Sequence, residues 1–145
     1  LFQSKGRRAE AEHLASEANS IAEILNHNEA HSELALLAAG RALEDGDLPG
    51  ARLLASRARE EALAGRAPTG YVTATIAVSR LAEAGKDFLA AYSALADGWE
   101  ILSGLTTKER GKDAFENLIS DAAERWGEQT FTTAKDAYEE QMRIR

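Results

Sequence analysis

Residues 46–58 read Gly-Asp-Leu-Pro-Gly-Ala-Arg-Leu-Leu-Ala-Ser-Arg-Ala. The stretch holds a turn and the opening of a helix. Gly46 supplies the left-handed conformation that ends a preceding helix. Asp47 is a capping residue, and Pro49 falls in the first helical turn, where its missing N–H costs nothing. Ala51, Ala55 and Ala58 then lie at i, i+4 and i+7, on one helical face. A stripe made of alanine lets a neighbouring helix come close.

The same spacing stands forty residues earlier, where Gly6 is followed by Ala11, Ala15 and Ala18. A weaker copy starts at Gly85, with Ala91, Leu95 and Gly98. In the two strong copies a helical apolar pattern breaks at the glycine and restarts after it. A period of this size is expected of stacked helical hairpins.

Working outward, the rest of the chain reads as helix. Ala, Leu, Glu and Arg dominate, and the two prolines, Pro49 and Pro68, each stand in a Gly-containing turn. From Arg8 to Leu25 the apolar positions Ala11, Leu14, Ala15, Ala18, Ile21, Ala22 and Leu25 form one stripe. The Asn26–Asn28 run breaks it. A second helix is expected over about 29–44 with Leu34, Leu37 and Ala38 inward. A third follows the Asp47 cap and ends near Gly65, and a fourth spans about 71–84. The fifth uses Phe88, Ala91, Tyr92, Leu95, Trp99 and Leu102 and ends at Gly104. Thr106 and Glu109 resemble a capping box opening a sixth helix, with Phe115, Leu118, Ile119, Ala122 and Trp126 on its face. Gly127 either breaks that helix or sits inside it. Phe131, Ala134, Tyr138 and Met142 continue at helical spacing. The large aromatics read as core, with Leu54, Tyr92 and Trp99 filling the space between hairpins.

Composition narrows the function. There is no cysteine, which excludes disulfides, thiolate metal sites and a cysteine nucleophile. It fits a reducing compartment, and a cytoplasmic location is expected. A net charge of −7 argues against direct binding to nucleic acid or to an anionic membrane, since both use a basic surface. No apolar run reaches the ~18 residues that a membrane-spanning helix needs.

Few residues suggest chemistry. Glu23, His27 and His31 would share one face of a continuous helix, a geometry that can hold a metal. The intervening Asn-His-Asn run reads as a turn, so no metal site is expected. Adjacent acids such as Glu10/Glu12, Glu60/Glu61 and Glu139/Glu140 point to different sides of a helix and do not pair for acid–base work. No phosphate-binding glycine motif is present. Neither an enzyme nor a cofactor is expected.

The segment Gly46-Asp47-Leu48-Pro49-Gly50-Ala51, with Ala55 and Ala58, resembles the centre of a tetratricopeptide repeat. Gly6-Arg7-Arg8-Ala9-Glu10-Ala11 is similar to the same point one repeat earlier, and Gly85-Lys86-Asp87-Phe88 to the point one repeat later. The resemblance covers about residues 5–104. The spacing is about forty instead of 34 residues, and Ala35, Ala42 and Thr75 stand where large aromatics are usual. Longer versions of the repeat occur in sensor regions of bacterial signalling proteins and transcription regulators. The Arg125–Glu128 segment with Phe131 is loosely similar to the closing helices of such regions.

The resemblance implies an all-α, right-handed superhelix of antiparallel hairpins, about seven helices in one domain over 1–145. It implies a concave groove lined by the first helix of each hairpin. Aligned on Gly46 and on Arg41/Arg80, Glu33, Leu36, Gly40 and Glu44 would face the groove, followed by Thr75, Ser79, Arg80 and Glu83. The expected function is a non-catalytic protein–protein interaction scaffold or sensor module that takes a partner peptide or helix. The alternative is a small-molecule-sensing regulatory domain of a bacterial signalling or transcription regulator. The stripe Leu14, Ala18, Ile21 and Leu25 lacks a covering helix if Gly6 marks the middle of a hairpin. The chain is therefore expected to be a piece of a larger protein, and a homodimer through the uncovered N-terminal helix is expected in isolation.

Overall fold

A computed structural model describes residues 32–144 of the chain. The expected first helix over 8–25, the Gly6 copy of the repeat, the Glu23/His27/His31 trio and the N-terminal dimer surface lie outside the described residues. Within them, six helices and no strand occur. They are α1 (32–44), α2 (Leu48–Ala64), α3 (Pro68–Ala84), α4 (Phe88–Leu105), α5 (Lys108–Trp126) and α6 (Glu128–Arg143). The stretch after residue 105 is thus two helices, not one long one.

The three turns that join α1 through α4 are one device used three times. Each is three residues long. In each, the N–H of the third residue reaches five positions back into the preceding helix: Asp47 to the Ala42 carbonyl, Ala67 to Ala62, and Asp87 to Ala82. The N–H of the middle residue bonds one step inside that: Gly46 to Leu43, Arg66 to Leu63, and Lys86 to Glu83. This is the Schellman closure, which satisfies carbonyls that a helix end leaves unpaired. It puts the middle residue in the left-handed region, and Gly46, Arg66 and Lys86 have φ of +79°, +51° and +59°.

Positions 46, 66 and 86 are spaced by twenty, so the structural unit is one helix plus one turn, half the period read from the alanines. Counted from the glycines, Ala51 lies five positions after Gly46 but Ala91 six after Gly85. The structure resolves this by pairing Lys86 with Gly46. The missing middle member is Gly65-Arg66-Ala67, and Pro68-Thr69-Gly70, expected as the turn, is the first turn of α3.

Caps follow the same register. The Asp47 carboxylate accepts from the Gly50 N–H at 2.9 Å, and that of Asp87 from the Ala90 N–H at 3.2 Å. Ala67, between them, has no side chain to do this, and Pro68 fixes the first helical φ instead. Helix α5 is capped by Thr107, which accepts from the Arg110 N–H at 3.1 Å. The expected cap, Thr106, instead donates back to the Leu102 carbonyl at the end of α4. Gly127 turns α5 into α6 with φ +88° and ψ 156°, a region open essentially to glycine alone.

Packing runs between near neighbours: α2 with α3, α3 with α4, α4 with α5 and α6, and α5 with α6. The core changes character along the chain. Its first part is alanine: Ala39, Ala51 and Ala55 with Leu81, and Ala35, Ala58 and Ala74 beside them. Leu34 and Leu37, expected inward, are 63% exposed, while Ala35 and Ala39 are buried. The phase of α1 follows its small residues: Ala39 packs with Ala51 and Ala55, and Ala35 with Ala58. Ser32 strengthens that contact by donating to the Ala58 carbonyl at 2.8 Å.

Further on the core is large. Leu95, Leu102, Phe115 and Ala122 are buried, with Val72, Trp99, Leu118, Ile119 and Trp126 packed around them. Aromatic rings link α4 to the last two helices: Phe88 meets Trp126 edge-on at 5.3 Å, and Tyr92 meets Phe131 and Tyr138 at 5.6 and 5.4 Å. Such edge-to-face pairs contribute about 0.5–1.5 kcal/mol each beyond burial. Of the residues expected between hairpins, Tyr92 and Trp99 pack here in the aromatic part of the core and Leu54 against its alanine part.

Candidate functional site

Alternate helices lie on the same side of the array, and a cleft of about 590 Å³ opens where α2, α4 and α6 meet. Its walls are Ser56, Arg59, Glu60 and Leu63 from α2, Asp97, Glu100 and Ile101 from α4, and Met142 from α6. Tyr71 of α3 closes the floor and is fully buried.

The floor is held rigid by one guanidinium. Arg59 donates from Nε and Nη2 to the Tyr71 hydroxyl, at 3.2 and 2.9 Å, and from Nη2 to the Ala94 carbonyl at 3.0 Å. Three helices are tied by one side chain. Its guanidinium carbon also lies 5.3 Å from the Tyr71 ring centre, within reach of a cation–π attraction. Across the cleft, the Tyr138 hydroxyl donates to Asp97 Oδ1 and fixes α6 against α4. Burial, and then the neighbouring Asp97 carboxylate, push the Tyr138 hydroxyl well above the ordinary phenol range. It stays a neutral donor at physiological pH.

The cleft thus has an apolar part, Leu63, Ile101 and Met142, and an acidic part, Glu60, Asp97 and Glu100. Arg59, the one cation lining it among the described residues, is engaged by Tyr71 and Ala94. Among the described residues, no group of three or more His, Asp or Glu side chains is placed to hold a metal ion. No helix among them is long and apolar enough to cross a membrane.

The eight residues expected to line a groove do not converge. Thr75 and Ser79 are in the core, at 0% and 2% exposure. Ser79 donates to the Ala91 carbonyl at 2.9 Å, an internal bond between α3 and α4. Glu83 is held by Arg125 at 2.8 and 3.0 Å and by Arg80 at 3.7 Å. The Arg125 hydrogen bond, above all, lowers the Glu83 pKa from its ordinary value. Arg80 and Ser79 border a small cleft of about 110 Å³ between α3 and α5. Glu33 and Leu36 border another, of about 140 Å³, against the α2–α3 turn. Gly40 and Glu44 are exposed on α1.

The large cleft lies on the other layer, the second helix of each hairpin. Its residues were missed because the alignment on Arg41/Arg80 selected α1 and α3. One signal was present: Glu60 and Glu100 are forty residues apart, the same separation as the matching turns at Gly46 and Lys86. Comparison with family models, with curated proteins and with solved structures finds no significant match to this chain.

Proposed function

We propose that this protein is a non-catalytic protein–protein interaction module of tetratricopeptide-like build, a scaffold or sensor that binds a partner peptide or helix. The observation that carries the reading is the α2/α4/α6 cleft. It combines an apolar wall with charged side chains, and Arg59, Tyr71 and Asp97 are engaged by the protein itself. Arg59 and Asp97 hold helices in place, which suits a preformed docking surface. The serial packing of helices supports a repeat-like array, in which such surfaces extend along stacked units.

The testing experiment is affinity capture on the immobilised protein from source-cell lysate, at low and moderate salt. One dominant partner at near-equal stoichiometry, lost as salt rises, agrees with the reading. Recovery of no specific partner argues against it.

A second reading is a small-molecule-sensing regulatory domain of a bacterial signalling or transcription regulator. The cleft volume favours it, since ligand sites span roughly 300–1,000 Å³. A melting-temperature shift with one compound from a metabolite panel, without any captured protein, would select this reading instead.

A further inference from the structure

We propose that the occupant of the α2/α4/α6 cleft is a basic amphipathic helix of a partner protein. This rests on the interaction reading above and gives the partner its chemistry.

Three observations converge. The first is charge. Glu60, Asp97 and Glu100 line the cleft against Arg59; the Arg59 guanidinium is spent on the Tyr71 hydroxyl and the Ala94 carbonyl, and one Asp97 oxygen accepts from Tyr138, which leaves Glu60 and Glu100 as the carboxylates facing a partner. The surface offered to a partner is therefore acidic, and lysine or arginine is its complement. The second is the apolar wall. Leu63 and Met142 remain 37% and 38% exposed at the cleft, beside half-buried Ile101. An apolar stripe on the partner would cover them.

The third observation is the backbone. Every wall is helical, and no strand edge exists among the described residues. An extended peptide would find no main-chain ladder to satisfy its own N–H and C=O groups. A helix arrives with those groups already paired, and it presents leucine-type and lysine-type side chains on adjoining faces. Glu60 and Glu100 stand one hairpin apart at equivalent positions, so the carboxylates recur along the cleft instead of clustering at one point.

The experiment uses the full chain and a dye-labelled synthetic peptide of leucine and lysine set at helical spacing, read by fluorescence anisotropy. Two double variants are compared, Glu60→Lys with Glu100→Lys in the cleft, and Glu116→Lys with Glu124→Lys on α5. Both change the net charge equally, and melting curves establish that both fold. The expected result is binding to the wild type and the α5 variant alike, weakened at least about tenfold in the cleft variant. A peptide of the same composition with scrambled spacing is expected to bind at least about tenfold more weakly to the wild type.

Equal weakening in both variants would reduce the effect to overall charge and overturn the proposal. Equal binding of the scrambled peptide, competition by spermidine at the same potency per charge, or no binding at all would overturn it too. The cleft variant also separates the two readings. If it still captures the lysate partner, the interaction module stands and its cleft assignment falls.

Discussion

Arg125 and Glu83, 42 positions apart, form a two-point ion pair in which Nε and Nη2 of the arginine meet the two carboxylate oxygens at 2.8 and 3.0 Å. The pair closes the end of α5 onto the end of α3. Arg125 holds the Glu83 pKa below its ordinary value of 4.5, with Arg80 adding a smaller pull, while burial opposes both. A depressed folded-state pKa gives stability that is complete above the unfolded value and is lost as pH falls through the folded one. Glu83→Gln is therefore expected to cost about 1 kcal/mol near neutral pH and progressively less on acidification below 4.5. Urea unfolding of both proteins across that range checks it; a gap that widens in acid would refute the account.

Two glycines should respond to alanine with opposite signs. A Cβ on Gly98 would sit 2.8 Å from Thr75 Cγ2 and 2.9 Å from Phe115, where α3, α4 and α5 meet. Overpacking of this kind costs about 1–3 kcal/mol. A Cβ on Gly40, in the middle of α1, would meet nothing within 4 Å. Gly40→Ala is expected to stabilise by about 0.5–1 kcal/mol through helix propensity alone. Thermal melts of the two variants settle both signs together.

The repeated turn makes its own prediction. Arg66 and Lys86 carry side chains at left-handed positions where Gly46 carries none. Left-handed conformation costs an L-residue roughly 1–2 kcal/mol, partly offset by the greater chain entropy that glycine loses on folding. Arg66→Gly and Lys86→Gly should each raise stability by about 0.5–1 kcal/mol, and Gly46→Ala should lower it by a similar amount. If the glycine variants melted lower than wild type, the twenty-residue turn register would be wrong.

Thr75 and Ser79, one turn apart on α3, are both buried, yet only one hydroxyl is satisfied. Ser79 donates to Ala91, whereas Thr75 Oγ1 has no hydrogen-bond partner. Replacing Thr75 by Val removes an unpaired polar atom and should stabilise by about 1 kcal/mol. Ser79→Ala deletes a formed bond and should destabilise by about 1 kcal/mol. Chemical denaturation midpoints at constant m-value read the difference.

Much of the local structure was legible in the chain. Asp47 and Pro49 announce a helix start because capping and a fixed φ act over three or four residues, whereas Gly127 left a break or one long helix open, and Pro68, read as part of a turn before a helix at about 71, is itself the first residue of α3. The helical reading of 47–105 followed from spacing that any helix must obey. What failed were matters of phase and register. Leu34 and Leu37 are more apolar than Ala35 and Ala39, so hydrophobicity alone turned α1 the wrong way. The twenty-residue period was hidden because Gly46, Arg66 and Lys86 share a backbone conformation and not a residue type.

The sequence by itself determined an all-helical chain with short turns, because caps, turn residues and apolar spacing are local properties. Only the tertiary structure decided which face of each helix is buried and where the cleft opens. Thr75 and Ser79 went inside, and Glu60, Asp97, Glu100, Leu63 and Met142 came together, because those outcomes depend on how closely one helix can approach the next. Ala51, Ala55 and Ala58 set that approach on one side and Tyr71, Tyr92 and Phe115 on the other, and no window of the sequence contains both.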